Sequence, residues 1–536
     1  MITLHNNIFN NSGIMNETEN ILNELIRSVP QRFKPERAKD FNGVFHFKLT
    51  GDYGREYTVN IMNGKCHFEE GLKGEPLCVL TSKAKTFVDA ELGRINPQVA
   101  LITGKIKVNN IPAMARFVKL FRRYTPGMVN DSDLMNKVIY RKPVNGPLVG
   151  LRILDFTRLL PGPLATLLMA DMGAEVIKIE NPHEHDTIRD YPPFIGDESA
   201  NYHALNRSKK SVFIDYSNEE CREIMYKLVK TSDILFEQFR PGTMKRWGLD
   251  YDTLKTINPA LIYVSLTGYG QTGPYASMAG HDLNFLAISG ILGSTGTEEN
   301  APSIPAAQIA DVSGSYMAVI AALSAVHSRK IQGKGQYVDV SMLDSALPFL
   351  TYAATEYWAT GKEQKKGEYF LSGGLPNYNV YQCSDGNYIA LASIEPKFWE
   401  RFCTLVNKPE WKTRMLEEPA QREALKMEVT ELFRTKSRNE WVRLAENIDM
   451  CMTPVLEIHE LNNNKHLIER EMIKEQDVPG NVKLKSFGIP IKLSGTPAKP
   501  SWDAPAVGED TIAVLSEIQI TPDQIRKMKE KDLIVY

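Results

Sequence analysis

The sequence predicts an α/β protein: a small α+β domain first, then a larger domain on a parallel sheet with helices on both faces, and a smaller α+β subdomain after it. Three observations carry this reading. A chain of 536 residues exceeds what one hydrophobic core supports, so two or three domains are expected. Short alternating runs on either side of Asn63-Gly64 have the period-two pattern of strands joined by a tight turn. From residue 147 onward, apolar runs alternate with helical stretches, the signature of βαβ units.

Residues 1–17 are rich in Asn and low in pattern, and read as a loose leader. Ile21, Leu22, Leu25 and Ile26 then recur at helical spacing. Strands are expected over 44–49, 57–61, 65–69 and 77–81 as a meander, followed by a helix over 86–92, a strand over 106–108 and a basic amphipathic helix over 112–123. Asn63-Gly64-Lys65, Phe87-Val88-Asp89-Ala90-Glu91-Leu92-Gly93-Arg94-Ile95-Asn96-Pro97-Gln98 and Gly104-Lys105-Ile106-Lys107-Val108 occur in that order. On these residues the segment 18–125 resembles the sterol carrier protein 2 family. The resemblance implies an apolar tunnel for a fatty acyl or sterol-like ligand and no catalytic residue; a dimerisation or spacer role on the same scaffold is the alternative. Lys119, Arg122 and Arg123 could bring the last helix to an anionic membrane, although a solvated face explains them as well.

Polar residues with Pro126-Gly127 and Lys142-Pro143 place a linker over 126–146. The large domain, 147–367, opens with a strand over 148–156, the turn Pro161-Gly162-Pro163, a helix over 164–172 and a strand over 176–180. Looser repeats follow, with a strand over 211–215, a helix over 219–231 and strands over 234–237 and 261–266, so a Rossmann-like parallel sheet results. The first turn lacks G-x-G-x-x-G, which argues against nucleotide redox chemistry, and no P-loop is present. A hairpin at Asp385-Gly386 opens a small domain over 368–480, with helices over 397–406, 422–433 and 438–448. The segment 481–536 is expected to return to the large domain through a Pro-rich tail and a last helix over 523–529.

Composition narrows the partners. A net charge of −2 with 24% charged residues leaves no electrostatic footprint for nucleic acid. Six cysteines without a CxxC pair signal neither a zinc site nor a disulfide framework, and no metal is expected. With no secretory signal at the start, a cytoplasmic protein is expected. The most apolar run, 316–326, is too short to span a bilayer, so no transmembrane segment is expected.

The chemistry concentrates in 280–314. His281 follows a Gly-rich loop and opens a segment with Leu283, Leu286, Ala287 and Ile291 at helical spacing, so it reads as a helix-start histidine. Asp311 precedes a long apolar helix, expected over 312–327, and reads as its N-cap. Both would sit at positive helix ends, where an enolate oxygen or another anion can be held.

Leu154-Asp155-Phe156, Pro161-Gly162-Pro163, the run from Asp171 to Glu180, Asn206-Arg207-Ser208-Lys209-Lys210-Ser211, Phe239-Arg240-Pro241-Gly242 and Gly268-Tyr269-Gly270 continue as far as Asp339. Over 147–515 the chain resembles the class III coenzyme A transferase family, in the branch that includes α-methylacyl-CoA racemase. The resemblance implies an interlocked homodimer of ring-like chains and an acyl-CoA substrate; coenzyme A is part of that substrate, and no cofactor is expected. Gly280-His281-Asp282, Asp311 and Ile394-Glu395-Pro396 match the racemase motifs, implying His281 and Asp311 as bases on the two faces of a planar enolate, with Glu395 orienting His281. Backbone N–H groups near Asp311 would hold the thioester oxygen. Arg240, Arg207, Lys209, Lys210 and Lys178 are the cations that could hold CoA, with Asp282 as a supporting group. Ser265 stands where racemases of this type carry arginine, and Lys178 replaces another frequent arginine. The resemblance leaves two alternatives open: a CoA transferase with Asp311 as nucleophile, and an acyl-CoA or lipid-binding protein without turnover.

Overall fold

The computed structural model describes residues 21–121, apart from 23–24, 27, 35–36 and 39–40, and residues 141–536, apart from 144, 197, 298–299, 364, 416–417 and 479–481. The expected leader and most of the expected linker lie outside the described residues. The chain divides into two compact units, Met1–Val138 and Ile139–Tyr536.

In the first unit β1 (Gly43–Thr50), β2 (Glu56–Met62) and β3 (Lys65–Glu70) pair antiparallel in succession. Asn63 and Gly64 take φ of 53° and 72°, the left-handed pair that a two-residue hairpin needs. β4 (Cys78–Lys83) then pairs parallel with β1, and α1 (Ala84–Glu91) follows it directly. The sheet order is β3-β2-β1-β4-β5, where β5 is Ile106–Val108. The expected meander is therefore wrong at β4: alternation identifies a strand but not its partner, and β4 crosses to the free edge of β1. The helix α2 (Pro97–Ile102) was not foreseen; the Asn96 side chain caps it, accepting from the N–H of Gln98 and Val99. A third helix, α3 (Ile111–Lys119), stops before Arg122 and Arg123, which lie outside the described residues. Phe45, Phe47, Tyr57 and Phe117 stack across the core, with Phe47 and Tyr57 parallel at 4.8 Å between centroids. Beside them Val29, Phe47, Tyr57, Val59 and Phe87 enclose a cavity of about 460 Å³.

The second unit is built on β6 (Arg152–Asp155), α4 (Pro161–Asp171), β7 (Glu175–Glu180), β8 (Lys209–Ile214), β9 (Ile234–Glu237) and β10 (Ile262–Thr267). The helices α5 (Asp282–Ile288) and α6 (Ile309–Gln332) precede β11 (Tyr337–Ser341). A small sheet follows, of β12 (Tyr378–Gln382), β13 (Tyr388–Ala392) and β14 (Met452–Pro454), with α7 (Pro396–Leu405) after β13. A hairpin of β15 (Ile473–Val478) and β16 (Val482–Phe487) straddles the expected boundary at 480, and β17 (Ile534–Val535) ends the chain. The main sheet runs β11-β10-β9-β6-β7-β8-β17, parallel throughout except for the last pair.

Successive residues of these strands point to opposite faces, and both faces are covered. Leu154, Ile177, Ile179, Val212 and Leu235 join one core, while Ile153, Val176, Ile234, Phe236 and Val264 join the other. The second core rests on α4 and α6. With 24 residues and a mean hydropathy of 1.6, α6 is long and apolar enough to cross a bilayer, unlike the shorter run read from the sequence. Half of that window is buried, and Ala310, Ala318, Ala322 and Ala325 pack it against the sheet as a core helix.

Candidate active site

The strand order reverses between β6 and β9, with β7 and β8 on one side and β10 and β11 on the other. Such a switch point opens a crevice at the carboxyl ends of the strands. Here it holds a cavity of about 370 Å³, walled by Leu159 and Pro161 after β6, Phe239 and Arg240 after β9, and Tyr269 after β10. His281 and Asp311 line the same cavity. The two groups foreseen as a pair are thus brought together, from the starts of two different helices.

One carboxylate ties those starts. His281 is the N-cap of α5, and its backbone N–H donates to Asn284 Oδ1 at 3.1 Å. Its side chain is exposed and faces the Asn284 N–H in a capping box. The next residue, Asp282, accepts through Oδ1 from the N–H of Ala310 at 2.7 Å and of Asp311 at 3.1 Å. Asp282 therefore caps α6, and Asp311 lies in its first turn rather than at the N-cap. Two expectations bear on this carboxylate. Asp282, foreseen beside CoA, spends Oδ1 on the start of α6, and the N–H groups of Ala310 and Asp311, foreseen for a thioester oxygen, are engaged by it. Burial, and secondly the negative charge of Asp282, pushes the Asp311 carboxyl up to about 7. A carboxyl so tuned exchanges protons near neutral pH. Close approach also needs glycine: a Cβ on Gly280 would stand 2.7 Å from both the Phe285 ring and the Tyr269 hydroxyl.

Of the foreseen cations, Arg240 alone lines the cavity, and it is exposed. The others are buried in ion pairs. Lys209 Nζ donates to Asp155 Oδ2, Pro163 O, Thr166 Oγ1 and Asn206 Oδ1 within 3.1 Å, so all its donors are spent, and burial pulls it down to about 8 against the pull of Asp155. Burial would raise Asp155, but Lys209 and Lys178 outweigh it and hold that carboxyl low. Lys178 Nζ donates to Thr157 O at 2.9 Å and to Asp186 Oδ2 at 2.8 Å. Asp186 in turn accepts from the N–H of Leu159, whose φ is 61°. Lys178 thus pins the turn that presents Leu159 to the cavity instead of touching a ligand. Arg207 forks onto Asp171 at 3.2 and 2.6 Å, and Lys210 pairs with Glu175 at 2.6 Å.

Glu395 is not brought to this cavity within the chain. It is an exposed N-cap of α7, and its carbonyl accepts from Phe398 and Trp399. Two groups passed over in the sequence belong to the site. Thr267 is 6% exposed and lines the cavity, and its hydroxyl has no partner among the described residues. Behind the wall, Glu237 accepts from the Phe239 N–H at 2.7 Å and from the Ser265 hydroxyl, while Tyr337 donates to Ser265 at 3.0 Å. Burial pushes Glu237 up to about 7. Its position at the end of β9, two residues before Phe239, was the signal available.

Residues 148–511 match the profile described as CoA-transferase family III, and residues 22–122 that of the SCP-2 sterol transfer family. Human alpha-methylacyl-CoA racemase is 31% identical over 400 residues, which cover 72% of this chain and 97% of that protein. The acetyl-CoA:oxalate CoA-transferase of Acetobacter aceti is 32% identical over 376 residues, 68% of this chain and 95% of the relative. Among solved structures, a CAIB/BAIF family protein from Brucella suis superposes with a TM-score of 0.62 at 31% identity, covering 70% of this chain and 100% of its own. The racemase and the transferase are equally similar. With a family match over most of its second unit, relatives aligned along nearly their full length and a switch-point cavity lined by His281 and Asp311, the chain belongs to the CoA-transferase family III.

Proposed function

We propose that the protein epimerises 2-methylacyl-CoA thioesters by removing and returning the proton at carbon 2. The observation that carries this is the shared cavity of His281 and Asp311, with Asp311 held at about 7. Proton exchange through an enolate needs one group to accept while another donates from the opposite face, each with a proton affinity near the working pH. Asp311 as carboxylate takes the proton while protonated His281 delivers one; for the other enantiomer the roles reverse. Proton transfer between side chains requires no cofactor beyond the CoA of the substrate, and Arg240 at the rim supplies a cation for its phosphates.

Glu395 enters through a second copy of the chain. In one chain its carboxylate lies outside the cavity, whereas Tyr316, Met317 and Ile320 on α6, with Tyr352 and Trp358 nearby in sequence, leave exposed apolar side chains that a homodimer would cover. The cavity of the first unit takes a fatty acyl or sterol-like ligand, on the strength of its apolar wall and its family match.

The test is incubation of the protein with one enantiomer of a 2-methylacyl-CoA in deuterated water. Deuterium at carbon 2 with loss of optical purity is expected. CoA transfer is the second reading, favoured by the equal similarity to transferases; Asp311 would then attack the thioester carbonyl and expel CoA as thiolate. An acyl-enzyme trapped by hydroxylamine, without deuterium in the recovered substrate, would replace the racemase reading with that one.

A further inference from the structure

Bases on the two faces of a planar enolate leave its oxygen to a third wall of the cavity. The N–H groups of Ala310 and Asp311 are engaged by Asp282, Asn284 stands one turn after His281 on α5, and the Tyr269 hydroxyl packs against Gly280 beside His281. The Thr267 hydroxyl is closed off from solvent. Gln238 remains. It follows the last residue of β9, the strand next to β6 where the strand order reverses, and lines the cavity half-buried. Its Oε1 accepts from the Gly162 N–H at 3.1 Å. Gly162 lies in the first turn of α4, whose N-cap residue Leu160 offers no side-chain acceptor, so Gln238 satisfies an orphan donor of that helix from outside it. This bond decides which way the amide faces. Only the carbonyl oxygen can meet a backbone N–H, so the nitrogen is the half left over, with two donors and no hydrogen bond among the described residues. The anchor has little room to shift: a Cβ on Gly162 would stand 2.1 Å from the Thr157 Cβ.

We propose that Gln238 Nε2 donates to the thioester oxygen of the substrate. This rests on reading the cavity as an acyl-CoA site, and not on the choice between the two reactions. When Asp311 takes the proton at carbon 2, the C–H electron pair moves into the bond between carbon 2 and the carbonyl carbon, and the carbonyl π pair moves onto oxygen. Both pairs return when His281 delivers a proton to carbon 2. Attack of the Asp311 carboxylate on the carbonyl carbon would load the same oxygen until the CoA thiolate leaves. A neutral amide held in place by α4 stabilises this charge without giving up a proton, and its effect is larger in the transition state than on bound substrate.

Two variants of the full chain test it. Gln238→Glu keeps an acceptor for the Gly162 N–H and removes the donor, whereas Gln238→Met removes both at similar length. Turnover, read as deuterium exchange or CoA transfer, should fall about 10²–10³-fold in both, with KM within about threefold of the parent. The denaturation midpoint should fall in Gln238→Met alone. A role as helix cap only predicts instead that Gln238→Glu keeps both its stability and its rate. Difference infrared spectroscopy of a bound 2-methylacyl-CoA, labelled with carbon-13 at the carbonyl, separates the lost hydrogen bond from the charge that Glu adds. The carbonyl band should lie at lower frequency on the parent than in solution and return to its solution position in Gln238→Met. An unshifted band on the parent, a band equally shifted in Gln238→Met, or a parent-like rate in Gln238→Glu would each overturn the proposal. A parent that binds the thioester and catalyses neither reaction would overturn the functional reading alone, and the band would then decide on Gln238. A parent that does not bind it would overturn both.

Discussion

The two cavities are of similar size, about 460 and 370 Å³, and opposite in chemistry. In the first unit the ionisable groups on the wall are spent: Arg32 donates to Glu91 at 3.1 Å, and burial pushes the Tyr57 hydroxyl far above its ordinary range. In the second unit Asp311 stands near 7 and the His281 ring is exposed and free of any ion pair among the described residues. Volume therefore does not separate a container from a reaction site; the state of the ionisable groups does. The sharpest way to break the contrast is Asp311→Asn, which removes a proton carrier at constant shape. Deuterium incorporation into 2-methylacyl-CoA should fall by about 10²–10⁴-fold, with cis-parinaric acid binding by the first unit unchanged. Retained exchange would take Asp311 out of the proton path, and absence of exchange in the parent would mean that the second cavity is a container too.

A smaller effect is expected where charge is present but satisfied. Lys209→Met leaves Asp155 buried beside one cation instead of two and should cost about 3–5 kcal/mol in the unfolding of the second unit, read as a lowered denaturation midpoint. If Lys209 held CoA instead, the variant would keep its stability and lose substrate affinity. Glu237 lies between these extremes, a buried carboxyl with hydrogen bonds but no cation within ion-pair distance among the described residues. Its proton affinity is higher in the folded chain than in the unfolded one. Its contribution to stability is thus full below the ordinary carboxyl range and lost as pH rises through about 7. The loss is about 3 kcal/mol at most, and Glu237→Gln should flatten the dependence of unfolding on pH between 4.5 and about 7.

These contrasts were unevenly legible in the sequence. His281 and Asp311 stood out because a histidine after a Gly-rich loop and an acid before an apolar helix are local features, and the family motif joined them. The cations were not separable. Lys178, Lys209 and Arg240 are alike as letters, and what distinguishes them is strand register: β8 begins at Lys209, two residues before the expected start, and lies between β7 and β17 in the sheet interior. A lysine there must find buried carboxylates. The same blindness to partners put β4 in a meander, because alternation reports a face and not a neighbour. Glu395 was readable as part of a motif, but no local pattern could say that its own chain leaves it outside the cavity. The capping role of Asp282 was hidden because the helix it caps begins at Ile309, a long way on in sequence.

Asp282 offers the finest test, since it acts on Asp311 in two separable ways. Its Oδ1 holds the start of α6, and its negative charge raises the proton affinity of Asp311. Asp282→Asn keeps an oxygen that can accept from Ala310 and Asp311 while removing the charge, so the Asp311 limb of the pH profile should move from about 7 toward acid with little loss of stability. Asp282→Ala removes the cap as well and should cost about 1 kcal/mol more. For an epimerase the equilibrium between enantiomers does not depend on pH, so kcat/KM in both directions must follow one profile. That profile falls at high pH, because one proton has to be shared between His281 and Asp311. A transferase needs only the Asp311 carboxylate, so its kcat/KM should rise through about 7 and stay high. In Asp282→Asn transfer at pH 7 should gain about twofold at most, because Asp311 is already about half ionised there, and the fall at high pH, expected for exchange and not for transfer, decides between the two reactions.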